Sequence, residues 1–289
     1  MAAKDSASGV GIVTDSVACL PREFVEEYGI QILPINIFIG DKVYRDVVDI
    51  SPAEVYELFL KDPAHFSTSA PSPAVCFEVF RVMSQKTPNI LCVNLSSKIS
   101  ATYDSARLAS GQAMRELTGV KISVLDSRTA TASLAFIALA GARAVAAGKD
   151  LAGALAAAHE VMDKVNVFVL LDTVRYVYRS GRVPRMAAQA GSILNIRPIF
   201  SIKGKVNLVG VAANREQGIE RILAKMKEKV GMAKVHAAVM HAYAPQMVEE
   251  LKQRVAKEFN CVELWVTEFS PVMGYATGTG TLGVAFYAD

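Results

Sequence analysis

The chain has 289 residues, 52% of them hydrophobic and 20% charged, which is enough apolar material for one large domain or two of ordinary size. Its formal net charge of +3 comes from 31 basic and 28 acidic side chains, too even a balance to mark a nucleic-acid surface. The four cysteines, Cys19, Cys76, Cys92 and Cys261, form no CxxC pair. Their spacing argues against a zinc site or a disulfide framework and for a reduced, cytoplasmic setting.

The opening MAAKDSASG has no apolar signal region. Val10 to Val13 then reads as a strand ending at Thr14-Asp15-Ser16, and Pro21 to Tyr28 as a short helix with an early proline. Ile30 to Ile39 reads as a strand broken by Pro34. Ser51-Pro-x-Glu54 is a helix start signal for Ser51 to Leu60. Helix 72–85, strand 90–95, helix 100–117 and strand 121–125 follow in the rhythm of parallel β-α-β units. Two helices come next, 129–147 and 151–165. The longest apolar stretch, Ala130 to Gly148, is Ala-rich and interrupted by Arg143. It suits a buried helix better than a membrane span, which needs about 20 strongly apolar residues.

A boundary falls near 165, giving an N-terminal α/β domain over 1–165 and a C-terminal one over 166–289. The second part runs strand 167–171, a basic turn VRYVYRSGRVPR, strands around Lys203-Gly204-Lys205, then helix 217–230, strand 235–241, helix 246–259 and strand 262–268. The end, MGYATGTGTLGVAFYA, reads as a Gly-rich loop and a closing strand. GTGTLG precedes a strand rather than a helix, so it lacks the context of a dinucleotide fingerprint.

Two hydroxyl-rich segments stand out: FSTSAPSP at Phe66 to Pro73 and NLSSKISATYDSA at Asn94 to Ala106. Each leads into a helix pattern, where hydroxyls and unpaired N–H groups suit an anionic oxygen group. An N-cap and a turn would account for Ser72, and a cap for Ser100. They leave unexplained five hydroxyls between Ser96 and Tyr103 beside a second such loop. His236 and His241 lie five apart on one strand and so point to opposite faces, which disfavours a metal pair. No serine has an evident His and acid partner.

In order along nearly the whole chain, these pieces resemble the DegV family, whose characterised members bind fatty acids. The matching segments are Val13 to Ser16, Thr68 to Pro73, Leu95 to Ala106, Val124 to Ser127, Tyr176 to Val183, Ser192 to Phe200 and Thr281 to Tyr287. The resemblance implies two α/β domains, the first with a mainly parallel sheet and the second with a mixed or antiparallel one, around a ligand tunnel. A palmitate-like or oleate-like long-chain fatty acid is the implied ligand, with no other cofactor, no metal and no catalytic residue. Its carboxylate would be held by Thr68 and by Ser100, with Ser97 as the alternative, and Thr277 of the last loop is a further ligand-binding residue. Burial of each methylene contributes about 0.8 kcal/mol, so the acyl chain supplies affinity and the hydroxyls supply orientation.

The resemblance also implies a partner, a fatty-acid kinase that phosphorylates the carboxylate of the bound acid to an acyl phosphate, with no stable insertion into a membrane. Four positions depart from the family pattern. Ala70 stands for Gln, Ala101 for Gly, Ala276 for a His, and Ala213 near a usual Arg, with Arg215 its nearest replacement. A neutral loop offers less to a doubly charged acyl phosphate, so lipid binding is expected ahead of kinase coupling. Two other readings compete. One is a hydrolase or transferase using a loop hydroxyl, with Asp15, Asp126 or His241 as base. The other is a lipid-sensing regulator docking through the basic turn.

Overall fold

Residues 9–177, 180–183 and 196–289 are described by the structure, a computed structural model. In chain order the first half forms β1 (Val10–Asp15), α1 (Arg22–Tyr28), β2 (Gln31–Leu33), β3 (Asn36–Ile39), β4 (Lys42–Arg45), α2 (Pro52–Lys61), β5 (Phe66–Ser69), α3 (Pro73–Ser84), β6 (Asn89–Asn94), α4 (Thr102–Glu116), β7 (Lys121–Asp126), α5 (Ala132–Ala146) and α6 (Leu151–Lys164). The second forms β8 (Asn166–Leu170), β9 (Arg197–Lys203), β10 (Lys205–Ala212), α7 (Arg215–Val230), β11 (Lys234–His241), α8 (Pro245–Glu258), β12 (Asn260–Glu268), α9 (Pro271–Thr277) and β13 (Leu282–Ala288). The fold is α/β, with a parallel sheet β2-β1-β6-β7 and a mixed sheet β10-β9-β8-β13-β11-β12.

β1 is buried throughout and β6 nearly so, without alternation, because helices cover both faces of a parallel sheet. α3 and α4 pack on one side, α5 and α6 on the other. α5 also touches β8 and β13, so it lies between the two sheets. This explains its Ala-rich sequence, apolar all round and buried from Ala132 to Leu139. The mixed sheet alternates as period two requires. Val167, Val169 and Leu171 face the core shared with α5, while Phe168 and Leu170 face the core under α7 and α8.

Three expectations need correction. Ile30 to Ile39 is not one strand: β2 joins the parallel sheet and β3 a separate antiparallel sheet, β4-β3-β5. The break follows from Pro34, and the Ile35 N–H beyond it donates to Ser16 Oγ at 3.3 Å. FSTSAPSP is not wholly loop, since its first four residues are β5, with Thr68 opposite Ile37. The segment before TLGVAFY is not only loop, because Ser270 caps α9. α2 begins as its sequence predicts, with Ser51 and Glu54 in a reciprocal capping box.

Candidate functional site: an apolar cavity with a hydroxyl end

A cavity of about 860 Å³, its mouth included, lies between the parallel sheet, the mixed sheet and α9. Val17, Leu95 and Ala130 contribute from the first half, Val169, Leu171, Phe200, Ile202 and Val206 from strands β8 to β10, and Val272, Met273 and Ala276 from α9. The strand residues alternate with neighbours on the other face, so one stripe of the mixed sheet becomes the apolar wall. The tip of the β9–β10 hairpin is tied to the first half. Gly204 N donates to Arg128 O at 2.6 Å, and Ser96 Oγ donates to Gly204 O. Gly204 adopts φ +72°, which this tight tip requires.

Polar groups gather at few places. Thr68 and Ser69 reach the cavity from the end of β5, and Ser100 from the loop before α4. Among the described residues the Thr68 hydroxyl makes no hydrogen bond. Ser100 is not the cap of α4, which is Ala101. Its Oγ accepts from Thr102 N at 3.3 Å and shares a proton with Thr102 Oγ1 at 2.9 Å. Thr277 also lines the cavity, but its hydroxyl donates to Met273 O at 2.9 Å. Ser97 does not line it: its hydroxyl donates to Asp126 Oδ2 at 2.6 Å and its N–H to Asp126 Oδ1.

Among the described residues the lining contains no Asp, Glu or His, and its one charged side chain is Arg182. Reading the sequence missed Arg182 as a site residue, although it sits in the basic turn; residues 178–179 and 184–185 of that turn lie outside the described residues. The candidate bases lie elsewhere. Asp15 is buried and accepts from Leu95 N at 2.8 Å, Val17 N at 3.2 Å and Asn94 Nδ2 at 3.3 Å. Burial pushes its carboxyl up to about 7 in spite of these donors. His241 Nδ1 accepts from Ala244 N, and burial lowers its pKa. Arg215 is turned to Asp172, which also pairs with Arg197. Among the described residues no group of three His, Cys, Asp or Glu is placed to hold a metal ion, and no helix is long and apolar enough to cross a membrane.

A family model described as "Uncharacterised protein, DegV family" matches residues 9–289. The chain belongs to the DegV family. A DegV domain-containing protein of Clostridium acetobutylicum is 29% identical over 96% of this chain and 98% of its own, and one of Streptomyces coelicolor is 30% identical over 95% and 97%. Among solved structures, a DegV family protein of Thermus thermophilus described by its fatty acid binding has 27% identity, a TM-score of 0.87, and coverage of 97% of this chain and 99% of that one. A stearic-acid-binding protein of Eubacterium ventriosum shares the fold at 24% identity and a TM-score of 0.88, over 96% and 98%.

Proposed function

We propose that this DegV chain is a carrier that buries one long-chain fatty acid between the walls contributed by residues 1–165 and 166–289. The observation that carries this reading is the cavity itself: an apolar hollow, free of carboxylates among the described residues, with an unbonded hydroxyl at Thr68 and a Ser100 hydroxyl bonded only to Thr102. The DegV relative of Thermus thermophilus, described as binding fatty acid, supports the same ligand class.

Thr68 and Ser100 donate to the carboxylate, and Arg182 supplies a positive charge in the same lining. Ser97 is committed to Asp126, so it is the weaker alternative, and Thr277 contributes packing before it contributes a donor. The role is carriage rather than catalysis, because neither hydroxyl has a carboxylate or imidazole beside it in the lining. A cytoplasmic carrier of this kind delivers its acid to a fatty-acid kinase. The neutral Ala276 and the pairing of Arg215 with Asp172 leave that second step fewer donors for an acyl phosphate.

Native mass spectrometry followed by denaturing lipid extraction tests the carrier role. The expected result is close to one fatty acid per chain. A protein that arrives empty and takes up neither palmitate nor oleate would overturn it. Adding a fatty-acid kinase and ATP to the loaded chain, and assaying acyl phosphate, tests the delivery step separately.

A further inference from the structure

α9 is the short wall that brings Val272, Met273, Ala276 and Thr277 to the cavity, and it is held from behind by the first half of the chain. Tyr56 of α2 donates its hydroxyl to Phe269 O at 2.8 Å, and Thr267 Oγ1 donates to Cys19 O at 2.5 Å. Gly274 lets α9 lie directly on the Tyr56 ring, where any Cβ would collide. At the helix start Ser270 does three things. Its N–H meets Cys19 Sγ at 3.2 Å, its Oγ accepts from Val272 N at 3.2 Å, and its hydroxyl proton goes to Asp46 Oδ2. Asp46 is fully buried, and its other oxygen, Oδ1, has no partner among the described residues.

Building on the fatty-acid reading, we propose that Asp46 is a positioning residue of the acyl site: its carboxylate, bonded by the Ser270 hydroxyl, holds α9 against the cavity, and a proton on Asp46 slackens that hold and speeds release of the fatty acid. A hydrogen bond to an ionised acceptor is about twice as strong as a neutral one, so neutralising Asp46 weakens the grip without abolishing it. The proton has a place to go, since Oδ1 is unengaged. The titratable groups around Asp46 are Asp15 at the end of β1, Cys19 after it, and Tyr56 on α2, with Glu268 of β12 acting on the last two. All are acids; the Ser270 hydroxyl bonds the carboxylate, and the Ser16 hydroxyl and Val47 N–H favour its charge. Burial pushes Asp46 up to about 6, which puts the change within mild acidification.

The test uses Asp46→Asn in the full chain and cis-parinarate, a fluorescent long-chain fatty acid, released into excess phosphatidylcholine vesicles. The ratio of variant to parent release rate cancels the titration of the ligand itself. At pH 8 the ratio should be about three to ten, falling toward one at pH 5, where the parent is itself protonated. Thermal unfolding should move the opposite way, with the variant more stable than the parent at pH 8 because a buried charge is gone. A merely structural role would lower stability and retention together. Amide exchange over 272–278 at pH 8 should be faster in the variant with or without ligand. A release ratio near one at pH 8, a ratio that does not change with pH, or unchanged exchange over α9 would each overturn the proposal. If the parent takes up no cis-parinarate but α9 exchange still responds to Asp46→Asn, the positioning stands and the fatty-acid reading falls.

Discussion

Val17 faces a cavity with no carboxylate among its described lining residues, whereas its neighbours Asp15, Ser16 and Cys19 floor a cleft of about 1710 Å³, its open mouth included, that also takes in Asp49, Glu54 and Glu268. One short turn after β1 thus separates two hollows of opposite chemistry. In the first, apolar walls leave a few hydroxyls to orient a guest. In the second, burial raises the carboxyls of Asp15 and Glu268, and the Asp15 charge is met by N–H groups instead of a cation. The contrast teaches that the same strand end can border an apolar hollow on one side and carry a pH-dependent cost on the other. The two meet at Ser270, which lines the cleft and starts the helix that walls the cavity.

The comparison breaks most severely if the apolar hollow is filled. Ala276→Trp should exclude about six methylenes, a loss on the order of 5 kcal/mol in oleate affinity, read by titration. The pH profile of stability should stay as in the parent. Oleate binding that survives this change would move the acyl chain out of the cavity.

On the cleft side, Asp15→Asn sharpens the contrast. A carboxyl raised in the fold from 3.8 to about 7 contributes stability that is fully present below 3.8 and lost as pH rises through about 7. The parent should therefore lose stability between pH 4 and pH 8 by on the order of 4 kcal/mol from this group. Urea unfolding at each pH should show the slope flattened in the variant. An equal slope in both proteins would show that Asp15 is not titrating there.

Smaller effects distinguish the hydroxyls. Thr68→Ala and Ser100→Ala should each weaken acid binding by about 1–3 kcal/mol, whereas Ser97→Ala should leave binding alone and cost about 1 kcal/mol of stability through Asp126. Equal affinity of the Thr68→Ala, Ser100→Ala double variant and the parent would end the head-group assignment. Least of all, Arg182→Gln should cost about 0.5–1 kcal/mol in affinity, more at low salt than at high, since the side chain is exposed. A salt-independent loss would mean that Arg182 acts through packing.

Much of this was legible before the structure because it is local. The β-α-β rhythm, the Ser51 capping box and the two hydroxyl segments are each written within a dozen residues. Ser270-Pro271 repeats the start signal of Ser51-Pro52 and Ser72-Pro73 and could have located α9, but Gly274, Gly278 and Gly280 suggested a loop. The β4-β3-β5 sheet was hidden because its strands are only four residues long and β5 is built of Phe, Ser and Thr. The pairing of Asp46 with Ser270 spans 224 positions, and no local pattern encodes a contact at that range. The order of Ser100 before Ser97 came from the resemblance and not from local chemistry, since what separates them physically is the cavity that Ser100 lines and the Asp126 carboxylate that takes up Ser97.

α5 has no face that meets solvent along its first eight residues, because one sheet covers one side and the second sheet the other. A cut at 165/166 leaves each half a core of its own but splits the core that both sheets share with α5. Each half, taken alone, would lay bare a stripe that the other normally covers, so neither is expected to be a unit that gene fusion can trade between relatives. A substitution on α5 must be answered in both halves at once.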